Sequence, residues 1–197
     1  MFINSNYFKI TQELIKRREL KKFLIYFLNL NINNTWPISY KQKIESSTEE
    51  LWSLIIKPGN LNLVHPFCKS NEIIEWKNNH YSDVLIYLNG LIYFREIIKL
   101  NNNKGYTLLI GKKRGKKSKV IWEITKSEKN TYLSITIYPY LLNSWPKIFS
   151  FIPYHLIIRP FLQKYLYSVI GGINWYLVNK TPVPRNHFGK HKWFSKL

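Results

Sequence analysis

Between residues 70 and 139, apolar and polar residues alternate in short runs that are separated by turn residues. This pattern is typical of an antiparallel sheet with one buried face. The runs predict strands over residues 70–77, 81–88, 91–100, 105–112, 118–126 and 131–139. In the last two strands the predicted buried positions are Val120, Trp122, Ile124, Leu133, Ile135 and Ile137.

The segments on either side of this block predict one more strand and three helices. Alternation over residues 38–46 indicates a strand, and the capping-box sequence Ser47-Thr48-Glu49-Glu50 then opens a short helix. A second short helical turn is predicted over residues 61–64. Apolar residues at three- to four-residue spacing follow Pro160 and predict a long C-terminal helix. Gly171-Gly172 within it marks either a kink or a close approach to the sheet or to a bound ligand.

Asn89-Gly90 is a strong hairpin signal, because both residues tolerate the positive φ of a two-residue turn. Such a turn pairs residues whose numbers sum to 179, which places Asp83 opposite Glu96. Two opposed carboxylates can share a proton and act as a base. The alternative is that both lie on the outer face, each balanced by a lysine.

Helical spacing also recurs near the start of the chain. An amphipathic helix is predicted there, either packed on the main domain or lying on a membrane surface. We expect residues 1–37 to form a helical extension and linker, and residues 38–197 to form one domain. The apolar residues that define the helix are Ile10, Leu14, Ile15, Phe23, Phe27 and Leu30.

Four segments of the chain carry a family resemblance: residues 44–52, Pro58-Gly59-Asn60 with His65-Pro66, residues 83–95, and Asn186 to Ser195. Together with the element order, they resemble the START-like or SRPBCC superfamily, which includes polyketide cyclases and lipid-transfer proteins. The resemblance implies an α+β helix-grip fold. In that fold a curved antiparallel sheet of about seven strands wraps on a long C-terminal helix, with two short helices after the first strand.

The resemblance further implies a cavity for a hydrophobic small molecule or lipid. Aromatic and polar side chains within the matched region are the candidate ligand contacts, since pockets are mostly apolar with a few polar groups. The predicted ligand-binding residues are His65, Trp76, Tyr87, Phe94, Arg95, Trp122, Tyr138, Tyr165 and Val169. Arg95 is either an anchor for a ligand carboxylate or phosphate, or half of a structural ion pair.

An enzyme of the cyclase or hydratase type is the alternative within the same cavity. Asp83, Glu96 or His65 would then serve as acid or base, with Arg95 as the anion anchor. Glu123 and His155 are further titratable candidates.

Charge narrows the set of partners. The chain has 197 residues and a formal net charge of +19. Residues 104–119 carry seven basic and no acidic residues, and residues 129–197 carry nine basic and none acidic. A basic face attracts phosphate on lipid or nucleic acid. Nucleic acid is the less favoured partner, because the basic hairpin at residues 112–119 lacks the interleaved aromatics of single-strand binders. The alternative for this hairpin is a solvent-exposed loop that binds neither lipid nor nucleic acid.

The remaining motifs exclude several classes. The single Cys68 excludes a disulfide framework or a cysteine-cluster metal site. His187 and His191 are four residues apart, but Asn186 and Gly189 indicate a loop, so the sequence predicts no metal and no cofactor. The apolar run at residues 23–30 is too short to span a bilayer. A cytoplasmic protein is expected, with membrane-peripheral contact as an open alternative and the oligomeric state undetermined.

Overall fold

The architecture comes from a computed structural model, which describes residues 36–77, 80–142 and 145–196. The predicted N-terminal helix lies outside these residues, and the domain boundary at residue 37 stays a prediction. The elements in chain order are β1 (Ile38–Ile44), α1 (Thr48–Ile56), α2 (Leu61–Val64), β2 (Cys68–Lys77), β3 (His80–Tyr87), β4 (Ile92–Asn101), β5 (Gly105–Gly111), β6 (Lys117–Ser127), β7 (Asn130–Tyr138), α3 (Lys147–Pro153), a π-helical turn (Tyr154–Ile158) and α4 (Arg159–Asn179).

The seven strands form one curved antiparallel sheet in the order β1-β7-β6-β5-β4-β3-β2. Strands β2 to β7 are a simple meander, and β1 pairs with the last strand, with Ile38 opposite Ile137. The predicted buried positions of β6 and β7 are all buried, because alternation sends every second side chain to the concave face. The predicted α+β helix-grip fold is therefore confirmed.

The β3–β4 hairpin differs from the prediction by one residue. Gly90 takes a φ of +86°, but Asn89 does not have a positive φ. The Gly90 N–H donates to Tyr87 O, and the Tyr87 N–H donates to Leu91 O. The connection is thus a three-residue loop, in which glycine supplies the left-handed residue.

This longer loop shifts the strand pairing, so that Asp83 lies opposite Arg95 and not Glu96. The predicted carboxylate pair is therefore wrong. A one-residue shift in register changes every cross-strand partner.

The two short helices begin where the sequence predicts. The Ser47 hydroxyl accepts a hydrogen bond from the Glu50 N–H at 3.1 Å and caps α1. The Glu50 carboxylate pairs with Lys180, just beyond the end of α4.

The long C-terminal helix is confirmed, but it is preceded by α3 and the π-helical turn, which the sequence analysis missed. Pro146 is the N-cap residue of α3. Pro160 occupies the first turn of α4, where a missing N–H costs little. No helix in the described part of the chain is long and apolar enough to cross a membrane.

Helix α4 is held against α2 through Gly172. A Cβ atom at Gly172 would lie 2.1 Å from Val64 O, whereas one at Gly171 would lie 2.8 Å from Phe188 Cζ. Real Cβ atoms do not approach a carbonyl oxygen so closely, so the helix could not keep this position with any other residue at 172. Close approach, and not a kink, therefore explains the glycine at 172, but the neighbour is the Val64 carbonyl of α2 instead of the predicted sheet or ligand.

We expect Gly172→Ala to lower the free energy of unfolding by about 2 kcal/mol or more, because backbone must move away from backbone. Gly171→Ala is the matched control. It meets only the end of a side chain and gains up to about 1 kcal/mol of helix propensity, so its net effect should be small. Urea unfolding followed by circular dichroism measures both. Equal losses in the two variants would contradict the close-contact explanation.

Candidate functional site

A cavity of about 420 Å³ lies between the concave face of the sheet and α4. The helix packs on β1, β7 and α2, while strands β3 to β6 face it across the cavity. Most of the lining is apolar. The lining residues are Leu61, His65, Leu85, Tyr87, Leu91, Tyr93, Arg95, Leu108, Ile110, Ser118, Val120, Trp122, Ile135, Ile137, Pro139, Tyr140, Leu141, Leu162, Tyr165, Leu166, Val169, Trp193 and Phe194.

Three side chains form a hydrogen-bonded chain at one end of the cavity. His65 follows α2, and its Nε2 lies 2.9 Å from the hydroxyl of Tyr165 on α4. The Tyr165 hydroxyl lies 3.1 Å from that of Tyr87 at the end of β3. On the other side of the imidazole, the Phe67 N–H donates to His65 Nδ1 at 3.2 Å. The neutral imidazole is thereby fixed in one tautomer, with its proton on Nε2.

A buried ion pair lies beside this chain. Arg95 Nε is 3.7 Å from Asp83 Oδ1, and the two side chains are 5% and 3% exposed. The distance is too long for a hydrogen bond. Arg95 Nη1 and Asp83 Oδ1 both lack a hydrogen-bond partner within the described residues.

Burial controls protonation at this polar end. Burial, with a smaller effect of Arg95, lowers the pKa of His65 to about 3. Burial raises the pKa of Tyr165 to about 12 and raises that of Tyr87 well above its ordinary value. Burial alone would lower the pKa of Arg95, but Asp83 and neighbouring tyrosines raise it above its ordinary value. At neutral pH the site therefore holds a neutral imidazole, neutral phenols and a charged guanidinium.

Six of the nine predicted ligand-binding residues line the cavity: His65, Tyr87, Arg95, Trp122, Tyr165 and Val169. Their contact with a ligand stays a prediction. The structure places Trp76, Phe94 and Tyr138 elsewhere, so these three are corrected.

Strand alternation explains two of these corrections, because Phe94 and Tyr138 neighbour inward-facing positions and point outward. Lys113 Nζ lies 5.7 Å from the Phe94 ring, and Lys119 Nζ lies 4.5 Å from the Tyr138 ring. Trp76 is near the far end of β2 and packs edge-on against Tyr81.

The other titratable candidates do not converge on the cavity. Glu96 is exposed and pairs with Lys117, which fits the outer-face alternative, and Glu123 is also exposed. Asp83 points inward but does not line the cavity. His155 packs against the ring of Phe151.

The two C-terminal histidines have separate surroundings. His191 is buried, and its Nε2 lies 2.9 Å from Phe161 O. His187 packs on the Trp175 ring, with ring centroids 4.2 Å apart.

Several lining residues were not predicted, although the alternation of inward and outward side chains along the strands identifies some of them. Leu85 and Tyr93 share the inward parity of Tyr87 and Arg95, and Leu108 and Ile110 share the parity of Tyr106. The correct hairpin register identifies the first two. Trp193 and Phe194 reach the cavity from the C-terminal tail, for which the sequence offers no periodic signal.

Basic and apolar features lie together at one end of the sheet. Ile110 and Ser118 are paired lining residues, and the exposed loop between them, residues 112–116, carries the basic hairpin. Leu141 lines the cavity just after β7 ends at the same end of the sheet. Trp36, before β1, also lies at this end and packs on Phe151 and Tyr154.

The chain then continues into an exposed apolar surface on α3 and the π-helical turn, which we call the apolar ridge. Its six side chains are between 51% and 73% exposed. Six such side chains within the ten residues 148–157 differ from the isolated exposed apolar residues that are normal on a protein surface. The ridge consists of Ile148, Phe149, Phe151, Ile152, Leu156 and Ile157.

No family model matches the chain, and no curated protein matches it in sequence. Solved structures do match its fold. A START superfamily protein from Mycobacterium smegmatis is 12% identical with a TM-score of 0.56, covering 74% of this chain and 99% of that one. CalU16 from Micromonospora echinospora is 11% identical with a TM-score of 0.51, covering 75% of this chain and 77% of that one.

DynU16, from the dynemicin biosynthetic locus, is 13% identical with a TM-score of 0.55, and 74% of this chain is covered. The chain spans 48% of the length of DynU16. At these identities the likeness concerns the fold alone. The chain therefore has a START-like fold, as the sequence resemblance predicts.

The low pKa of His65 predicts an acid-sensitive fold. The unfolded chain takes up a proton near the ordinary value of 6.5, but native His65 does so only near 3, so protonation favours unfolding between these values. We expect this residue to remove about 2 kcal/mol of stability between pH 7 and pH 5. Denaturant unfolding at the two pH values should therefore give a smaller loss for His65→Gln than for the wild type.

The difference between the wild type and the variant in the loss of stability from pH 7 to pH 5 isolates the contribution of His65. His191, whose pKa burial also lowers, and Asp83, whose pKa burial raises, remain in both proteins and cancel in the difference. Identical pH dependence in the wild type and the variant would contradict the neutral, buried imidazole.

Proposed function

We propose that the chain binds a hydrophobic small molecule or lipid in the cavity between the sheet and α4. The observation that carries the proposal is the cavity itself, about 420 Å³ with largely apolar walls. That volume lies within the range of small-molecule sites. The START-like fold supports the proposal, since proteins with this fold generally bind hydrophobic small molecules.

The placement of the acidic groups favours binding over the cyclase-type alternative. General acid–base catalysis needs a group that can reach the reacting atoms. Glu96 lies on the outer face, and Asp83 is held beside Arg95 behind the lining. His65 is committed to hydrogen bonds on both ring nitrogens.

A substitution that fills the cavity tests the proposal. Val169 is buried in the lining on α4, so Val169→Trp places an indole in the ligand's space. We expect binding of the neutral probe N-phenyl-1-naphthylamine, followed by fluorescence, to weaken by roughly tenfold or more, because overlapping volume excludes it. Mass spectrometry of the purified wild type should also detect a co-purified lipid or other apolar molecule.

Val178→Trp is the matched control, because Val178 is 55% exposed on the same helix. It should leave probe binding unchanged. Leu108→Phe fills the cavity from the sheet side and should weaken binding if Val169→Trp disturbs the helix. Unchanged probe binding in both filled variants would overturn the proposal.

We further propose that the apolar ridge and the basic hairpin dock the protein on an anionic membrane. Charge complementarity supports this partner, since the exposed loop at residues 112–116, at the same end of the sheet, carries four basic and no acidic residues. Apolar side chains beside positive charge are the composition of a surface that enters an anionic interface. Docking in this orientation would turn the Leu141 side of the cavity toward the lipid.

Vesicle sedimentation of the full chain tests the docking surface. We expect binding to phosphatidylglycerol vesicles that exceeds binding to phosphatidylcholine vesicles and falls with added salt. The triple variant Phe149→Ser, Ile152→Ser, Leu156→Ser should bind the anionic vesicles at least roughly tenfold more weakly, since it removes apolar area that would enter the interface.

Ile73→Ser with Ile74→Ser is the control, because both side chains are about half exposed but lie on the edge strand β2. It should bind vesicles as the wild type does. Binding to an oligonucleotide with no binding to anionic vesicles would replace the membrane by a nucleic acid. Equal vesicle binding by the ridge variant would also overturn the docking proposal.

A further inference from the structure

Two hydrogen-bond donors at the polar end of the cavity have no recorded acceptor among the described residues. The first follows from the position of the imidazole proton. The Phe67 N–H occupies His65 Nδ1, so His65 carries its proton on Nε2 and donates to the Tyr165 oxygen. The imidazole therefore accepts no proton from either tyrosine.

Two phenolic protons belong to Tyr87 and Tyr165, whose oxygens are 3.1 Å apart. Only one proton can lie between the two oxygens. The other proton, on whichever tyrosine carries it, has no acceptor among the described residues. Both side chains line the cavity, so the unpaired donor is placed at the ligand space.

Arg95 supplies a second unpaired donor at the same end. Its Nη1 is buried and has no hydrogen-bond partner within the described residues, although the residue lines the cavity. A buried donor without a partner is costly, and more so when it carries charge. Asp83 offsets the charge of the guanidinium through Nε, but it does not accept from Nη1.

We infer that the ligand presents an oxygen acceptor, a carbonyl or a carboxylate, to Arg95 Nη1 and the Tyr87–Tyr165 pair, with its apolar remainder along the rest of the lining. This inference rests on the proposed binding function and names the chemical class of the ligand. A ligand that offers only donors leaves both protein donors unpaired. Because Asp83 already neutralises Arg95, a neutral carbonyl fits as well as a carboxylate.

Four compounds that share one apolar body test the inference on the full chain by calorimetry. They are naphthalene, 2-acetylnaphthalene, 2-naphthoate and 2-naphthylmethylammonium. We expect the ketone and the carboxylate to bind roughly tenfold or more tightly than naphthalene, and the ammonium to bind more weakly than either. Naphthalene, as the apolar reference, separates the inference from the proposed function.

Two double variants test which protein donors produce the preference for a ligand with an acceptor. Tyr87→Phe with Tyr165→Phe removes both phenolic protons, and Arg95→Gln with Asp83→Asn removes the guanidinium without leaving an unpaired charge. Each should reduce the advantage of the ketone over naphthalene severalfold while naphthalene itself still binds. Tyr154→Phe is the control, because Tyr154 is a buried tyrosine outside the lining that donates to Trp36 O.

The outcomes are distinguishable. Equal affinity for naphthalene and the two acceptor compounds would overturn the inference and leave the binding function standing, with water satisfying the donors instead. An unchanged preference in both double variants would likewise overturn it. Absence of binding by all four compounds, together with no co-purified apolar molecule, would overturn the binding function and the inference with it.

Discussion

The contact between Gly172 and the Val64 carbonyl fixes the distance between the long helix and the rest of the fold. A Cβ at residue 172 would lie 2.1 Å from that oxygen, so the two backbones touch as closely as they can. Tyr165 lies two turns earlier on the same helix face, and His65 follows Val64 directly. The contact therefore brings together two residues that are 100 positions apart and lets them form their 2.9 Å hydrogen bond.

The same anchor explains why a cavity remains in a domain with a well-packed core. The helix packs on β1, β7 and α2, and strands β3 to β6 curve away beneath it. A helix that rested on the centre of the sheet would close this space. Close packing on one side and a gap on the other give a largely apolar chamber, with the hydrogen-bonded side chains of His65, Tyr165 and Tyr87 next to the anchor. A polar cluster at that place would orient a bound amphipathic ligand, because it offers the ligand's polar group a favourable position.

Local patterns predicted the strands, the capped helix after Ser47 and the long C-terminal helix. These patterns failed where one additional loop residue changes the pairing of two strands. The loop after Tyr87 has three residues instead of two, which pairs Asp83 with Arg95 and removes the predicted carboxylate pair. Aromatic character alone indicates Trp76, Phe94 and Tyr138 as cavity residues, whereas strand alternation determines which side chains reach the cavity. The hydrogen bonds among His65, Tyr165 and Tyr87 depend on tertiary contacts that no local pattern contains.

The distribution of charge constrains what can cover the apolar ridge. A second copy of the chain that docked through the same face would bring the basic loop at residues 112–116 against its own copy, and that loop carries four basic and no acidic residues. Like charges brought together at an interface oppose association, so the ridge is poorly suited to self-association despite its apolar area. An anionic lipid surface removes this conflict, because it accepts the apolar side chains and the positive charge together. The positive charge that is proposed to attract a membrane would thus also oppose association of the ridge with a second copy of the chain.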